Sequence, residues 1–403
     1  MNVLEAQMAF LASCREATEA TQHIQLLQES GAPTAGGAAR LVGPLGLTVR
    51  TDRDAPQAVL MSGQDPFVML CFGKPGSGKS NTQNVVLENL LLEAEAPARP
   101  DAHRITNVSG SPGFAAPPPC CALAFHFGST YGCEYLGLCQ DATLASETLV
   151  ITSPTCPDRA DMYRAQGFAV QPLCLAWPLT ADHILSILRV DPEAPPLYGT
   201  VLLNTLRRET RARRTMSIDE LQSTLEAECT ASGQASPMQQ RLGLLRQLLR
   251  QDERDVELDL AELFTRYRLV VVDLTDPLMS KGDANTIFFV LLNAFRRATV
   301  TRWAGKVVAF DEAHKFFVDR DSALCREIVE VVEVMRHEGM RVLISTQNPE
   351  VVPPGVFALS TIAVVHSLHT PKIWDFLRGQ YTLPGDLFDA VRTLRPGQGV
   401  LVA

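Results

Sequence analysis

The sequence predicts an α/β fold, and three observations carry that expectation. Short apolar runs alternate with stretches of helical periodicity from Phe67 onward, the rhythm of strands separated by helices. The Gly-rich segment Gly73-Lys-Pro-Gly-Ser-Gly-Lys-Ser80 sits between the apolar run Phe67–Phe72 and a helical pattern of Val85, Val86, Leu87, Leu90 and Leu91. A second apolar run, Lys306–Phe310, ends in the acidic pair Asp311-Glu312.

Taken in order, residues 1–66 form an N-terminal segment. It has a helical stretch over about 3–29, a Gly/Ala/Pro loop, and short strands around Leu41–Arg50 and Ala58–Met61. Residues 67–179 open the α/β core and include a Pro-rich loop at 96–119, with strands expected at Cys121–Phe127, Thr148–Thr152 and Phe168–Leu173. Residues 180–256 change character: Ile184, Leu185, Leu188, Val201, Leu202, Leu206, Leu242, Leu245 and Leu249 recur at helical spacing, which predicts a helical insertion. It carries the basic cluster Arg207, Arg208, Arg211, Arg213 and Arg214, either a contact for nucleic acid or a neighbouring subunit, or a solvated helix end. Residues 257–403 return to the α/β pattern. Strands are expected at Leu269–Asp273, Lys306–Phe310, Arg341–Thr346 and Ile362–Leu368, and helices at Thr286–Arg297 and Ser322–His337.

Composition narrows the class. In 403 residues no apolar run approaches the ~20 residues of a membrane span. The segment around Glu5 and Arg15 lacks the basic start of a secretory signal. A net charge of -9 argues against general coating of nucleic acid while leaving a local basic groove open. The ten cysteines include no CxxC pair; Cys120, Cys121, Cys133 and Cys139 with His126 fit no zinc spacing and read as reduced thiols, which points to an intracellular (cytoplasmic or nuclear) setting.

The Gly-rich segment is a full Walker A motif in its required strand–helix context. Gly73, Gly76 and Gly78 let backbone N–H groups turn inward on phosphate oxygens, with Lys74, Pro75, Ser77 and Asn81 completing the cradle at a helix N-terminus. Lys79 is expected to reach the β- and γ-phosphates of ATP, and the Ser80 hydroxyl to bind Mg2+. The plainer reading is a Gly-rich turn. The motif needs an acidic partner on another buried strand. Leu269–Asp273 offers a single Asp, whereas Asp311-Glu312 offers two: Asp311 for the metal and Glu312 as general base toward water. Asp273 is then expected on a parallel neighbouring strand. Gln347, closing the run Val342–Thr346, would sense the γ-phosphate. Arg336, near Glu333 and Arg341, is the first choice for an arginine acting in trans within an oligomer, with a surface ion pair as the alternative. His314 follows the acidic pair, whereas His366 and His369 read as strand and loop residues.

Together GKPGSGKS (73–80), VVDLTDP (271–277), VVAFDEAHKFF (307–317), the stretch 333–368 with its Thr346-Gln347 strand end, and the ending LRPGQGVLVA resemble the HerA–FtsK superfamily of P-loop ATPases, most of all HerA-type translocases and related conjugation ATPases. The resemblance covers about residues 60–403. It implies a RecA-like parallel sheet of the additional-strand type, with the Gln347 strand between the P-loop and Asp311 strands. It also implies a homo-oligomeric ring, usually of six subunits, with ATP at the interfaces and DNA in the pore. The family's nucleotide roles fall on Lys79, Ser80, Asp311, Glu312 and Gln347. Two departures stand out. Residues 1–66 are short for the N-terminal β-barrel of HerA-type proteins, and the second core strand reads Ala124-Phe-His126-Phe-Gly128 where an acidic residue is frequent.

Asp311-Glu-Ala-His314 also spells a DEAH-box signature, but no Ser-Ala-Thr motif follows; Asn-Lys-x-Asp and Leu-Ser-Gly-Gly are absent too, which excludes the GTPase and ABC readings. Two functions remain open: an oligomeric ATP-driven translocase of DNA (or, less so, protein), and a nucleotide-gated assembly protein with slow turnover.

Overall fold

The computed structural model describes residues 42–47, 58–62, 65–92, 119–128, 133–139, 142–193, 195–229, 235–249, 256–317, 320, 322–383 and 387–402. The expected helix over 3–29 and nearly all of the Pro-rich loop lie outside them.

Strands β1 (Val42–Leu47) and β2 (Ala58–Ser62) form an antiparallel pair of their own. All other strands among the described residues join one nine-stranded sheet. In chain order its elements are β3 (Val68–Phe72), α1 (Lys79–Leu91), β4 (Cys121–His126), α2 (Ala142–Ser146), β5 (Thr148–Thr152), α3 (Pro157–Ala165) and β6 (Ala169–Pro172). The helices α4 (Ala181–Ile187), α5 (Leu197–Ala212), α6 (Ile218–Glu228) and α7 (Ala235–Leu248) occupy the segment of helical periodicity. The chain then re-enters the core through α8 (Leu260–Arg266), β7 (Leu269–Asp273), α9 (Lys281–Arg297), β8 (Lys306–Phe310), α10 (Ala323–Glu338) and β9 (Met340–Thr346). It continues with α11 (Pro354–Ala358), β10 (Ile362–His366), α12 (Pro371–Gln380), α13 (Leu387–Thr393) and β11 (Gly399–Val402).

The strand order is β11-β10-β3-β9-β8-β4-β7-β5-β6, parallel throughout except for β11, which runs antiparallel to β10. The Gln347 strand β9 therefore lies between the P-loop strand β3 and the Asp311 strand β8, as expected. One expectation needs correcting. The Asp273 strand β7 is parallel but does not neighbour β8, because β4 lies between them. Two-residue alternation divides the central strands between two cores. Val68, Leu70, Phe72, Leu123, Phe125, Val308 and Phe310 pack on the α9/α10 side. Met69, Cys71, Ala122, Ala124, Val307 and Ala309 pack against Val86, Leu87 and Leu90 of α1. Burial on both faces explains why these strands read as continuous apolar runs rather than as alternating ones.

The helix expected at Thr286 begins at Lys281, because the Ser280 side chain accepts the Asp283 N–H and caps it. In the basic cluster, Arg208 pairs with Glu209 and Glu228, and Arg214 with Glu209 and Glu220. Arg207, Arg211 and Arg213 are exposed and make no ion pair among the described residues. No described helix is long and apolar enough to cross a membrane.

Candidate active site

The parallel strands end together on one rim of the sheet, and the side chains one level above the α1 core form a polar row across it. Ser345 of β9 pairs in register with Cys71 of β3. The Phe310–Ile344 pairing sets Asp311 beside Ser345, and the Phe125–Phe310 pairing sets His126 beside Asp311. His126 pairs with Asp273, and Asp273 with Thr152. All five polar members are buried.

The P-loop closes over this row. Gly76 (φ 67) and Gly78 (φ 109) adopt left-handed backbone that side chains resist, the turn needed to point N–H groups into the loop. Helix α1 starts at Lys79 without a side-chain cap, and none of its first-turn residues is acidic, which leaves its N-terminus to an anion. Lys79 is 4% exposed, and its Nζ donates to Lys74 O at 3.2 Å, bridging the mouth of the loop. Ser77 Oγ is buried without a partner. The donor set thus fits a triphosphate: inward N–H groups, an ammonium spanning the loop, an uncapped helix end.

On the β8 side, Asp311 Oδ1 accepts from Ser345 Oγ at 2.7 Å and faces Ser80 Oγ at 3.4 Å, long for an O–H···O− bond. A hydroxyl and a carboxylate facing each other are hard oxygen donors of the kind Mg2+ takes. Burial raises the Asp311 pKa and Glu312 adds to it, against the Ser345 hydrogen bond; positive charge at this point would reverse that.

Glu312 sits in left-handed backbone (φ 54), an uncommon state for a non-glycine residue, with its N–H donating to Ser345 Oγ at 3.2 Å. Its carboxylate is clamped: Gln347 Nε2 donates to both oxygens at 3.0 and 2.9 Å, Lys79 Nζ lies 3.6 Å away, and His314 Nδ1 3.1 Å away. Burial alone would raise the Glu312 pKa, but His314, Gln347 and Lys79 together bring it down to about 2. Ser345, which touches both acids, was invisible as a site residue in the sequence, though its strand parity toward α1 was a usable signal. The Gln83 amide, turned to satisfy both neighbours, accepts Ser345 N–H at 2.8 Å and donates to Tyr135 Oη, tying α1 to β9.

Further along the row, Asp273 is fully buried. Its Oδ2 accepts from Arg159 Nε at 2.7 Å and Tyr163 Oη at 2.6 Å, and its Oδ1 from Thr275 N–H at 3.0 Å. Asp273 is thereby engaged with α3 and turned away from the P-loop's needs. Among the described residues no cluster of cysteine, histidine and carboxylate could hold a metal, so Cys120, Cys121, Cys133 and Cys139 with His126 form no such centre. Arg336 is exposed in the last turn of α10, just before β9 starts, and so lies at the rim opposite the P-loop of its own chain.

His366 and the turn before β11 brace the loop from outside. The Gln398 carbonyl can only accept, so His366 Nδ1 carries the proton (2.7 Å) and Nε2 accepts from Thr82 Oγ1 (3.0 Å). Burial lowers the His366 pKa below its ordinary 6.5, the Gln398 bond opposes this, and Lys79 adds to the lowering. The folded chain therefore takes up this proton at lower pH than the unfolded chain does. Its stabilisation is present above pH 6.5 and lost as pH falls through the folded value. Buried His183 acts in the same direction. Thermal unfolding scans are expected to show a midpoint that declines below pH 6.5, with a shallower acid limb in His366→Gln; an unchanged limb would refute the assignment.

Residues 304–376, which include Asp311, Glu312, Arg336 and Gln347, match the helicase HerA-like C-terminal family. No curated protein matches the sequence. Among solved structures, VirB4 of Thermoanaerobacter pseudethanolicus is 14% identical, with 93% of this chain and 96% of that chain covered at a TM-score of 0.49. The bacterial conjugative coupling protein TrwB is 11% identical, covering 88% of this chain and 86% of its own at 0.47. B204, the DNA-packaging ATPase of Sulfolobus turreted icosahedral virus, is 21% identical over 36% of this chain and 65% of its own at 0.29.

Proposed function

We propose that this chain, whose residues 304–376 match the HerA-like C-terminal family, is an Mg2+-dependent ATPase that works as an oligomeric motor on DNA. One observation carries the reading: Lys79 and Ser80 of the P-loop meet Glu312 and Asp311 across the sheet rim, 3.6 and 3.4 Å apart. Mg2+, when bound, supplies charge neutralisation between phosphate oxygens. The chain does the rest. Loop N–H groups hold the phosphates, Ser80 and Asp311 offer oxygens to the cation, and Glu312 accepts the proton of the attacking water. Gln347, hydrogen-bonded to Glu312, releases or recaptures that carboxylate as the γ-phosphate comes and goes.

The clamp on Glu312 has a kinetic meaning. A carboxylate held by His314, Gln347 and Lys79 together is a weak base, so turnover waits until these partners let it go, Lys79 and Gln347 by turning to phosphate. The same observation favours the second reading, a slow nucleotide-gated assembly protein. Hydrolysis measured with and without Mg2+, and with single- and double-stranded DNA at fixed low salt, separates the two. A DNA motor is expected to be stimulated by DNA, and hydrolysis indifferent to both forms of DNA would remove the DNA assignment.

Arg336 is exposed, remote from its own P-loop and in no ion pair among the described residues, which supports reading it as an arginine that acts on a neighbour's nucleotide. In a ring, Arg336→Ala is expected to cut hydrolysis about 10³-fold or more with nucleotide binding retained. Mixing Arg336→Ala with Lys79→Ala subunits is expected to restore part of the activity, since one intact composite site re-forms. A mixture as inactive as each parent would rule out a trans role.

A further inference from the structure

The P-loop strand β3 lies between β9 and β10. Glu312 and Gln347, which face the γ-phosphate end of the loop, belong to the β8/β9 side. A triphosphate stretched along the loop therefore directs its α-phosphate and nucleoside the other way, toward β10 and β11. That side is occupied. Lys74 N–H donates to Ser367 O at 2.9 Å, and Gly397 N–H donates to Ser77 O at 2.9 Å. A Cβ placed on Gly78 would stand 2.9 Å from Gly397 N, so the two backbones touch. His366 joins Thr82 of α1 to Gln398. The turn Arg395–Gln398 is thus docked on the outer flank of the P-loop, beside the point where a nucleoside leaves it.

We propose that this turn is the nucleoside side of the site and that the Arg395 guanidinium packs on the base. The proposal rests on the nucleotide reading above and deepens it. The turn's own polar groups are largely spent. Gln398 N–H donates to Arg395 O at 3.0 Å, Gln398 Oε1 accepts Arg395 N–H at 2.9 Å, and Gln398 O accepts from His366. What remains is the Arg395 side chain, exposed and in no ion pair among the described residues. A planar guanidinium stacks on either purine face without reading its edge. The ligand class is therefore a nucleoside triphosphate, with little choice between adenine and guanine.

The test is calorimetric titration of the full chain with Mg2+ and AMP-PNP, GMP-PNP or inorganic tripolyphosphate. The wild type is expected to bind both nucleotides alike and tripolyphosphate more weakly. Arg395→Ala is expected to lose about five- to tenfold in affinity for both nucleotides and nothing for tripolyphosphate. Arg395→Lys, a charge without the plane, is expected to behave like Arg395→Ala. Unchanged nucleotide affinity in Arg395→Ala, or an equal loss for tripolyphosphate, would overturn the proposal and leave the phosphate site standing. A wild type that prefers adenine strongly would overturn the stacking role. A wild type that binds none of the three ligands would overturn the nucleotide reading, and this proposal with it.

Discussion

Glu312→Gln is expected to reduce ATP hydrolysis by about 10²- to 10⁴-fold, the span that a positioned general base contributes, while leaving AMP-PNP affinity within a few-fold of wild type. The substitution keeps the shape of the side chain. The amide oxygen can still accept from Gln347, one bond in place of two, and Lys79 still spans the loop to Lys74 O. What is lost is the oxygen that accepts water's proton. A single-turnover assay alongside equilibrium binding checks both halves. Hydrolysis within tenfold of wild type would mean that Glu312 is only a partner for Gln347, and that the base lies elsewhere. Loss of binding instead would mean that its negative charge is needed to hold Lys79 in place.

Asp273→Ala is expected to carry the largest stability cost in the sheet, roughly 3–5 kcal/mol, the range found when one member of a buried charge pair is removed. Asp273 is fully buried and Arg159 is 8% exposed, so the guanidinium left behind has little access to water. Tyr163 Oη and the Thr275 N–H lose their acceptor in the same step. Urea unfolding followed by circular dichroism checks this against Asp65→Ala, an exposed site where a change within about 0.5 kcal/mol is expected. A cost near that of Asp65→Ala would show that the remaining contacts of Arg159, or water, make up for the lost carboxylate.

The parts of this site that were legible in the sequence are those in which chemistry is written locally. Gly73–Ser80 and Asp311-Glu312 each hold their meaning within a few residues, and the strands beneath them announce themselves as apolar runs because both faces are buried. Strand order was available only through resemblance. It placed β9 correctly, while Asp273, read alone, was set one strand too close to Asp311. Periodicity cannot say which strand neighbours which, since the pairing is decided by helices packing on both faces. Ser345, Arg159 and the Arg395–Gln398 turn were not legible for a different reason. Their roles exist only as contacts between segments far apart in sequence; strand parity could tell which face Ser345 takes, but not which carboxylate stands beside it. His314 shows the intermediate case: its nearness to the acidic pair was visible, its 3.1 Å approach to Glu312 was not.

The docking of Gly397 on Ser77 also bears on how the molecule is assembled in time. The loop that would hold phosphate and the turn that braces it come from opposite ends of the described sequence, and closing so distant a contact is entropically slow. During refolding, helix content is therefore expected to return before nucleotide affinity does. A fluorescent nucleotide added to refolding protein should brighten in a later phase than the far-ultraviolet signal, making the bound ligand a clock for the last step of folding.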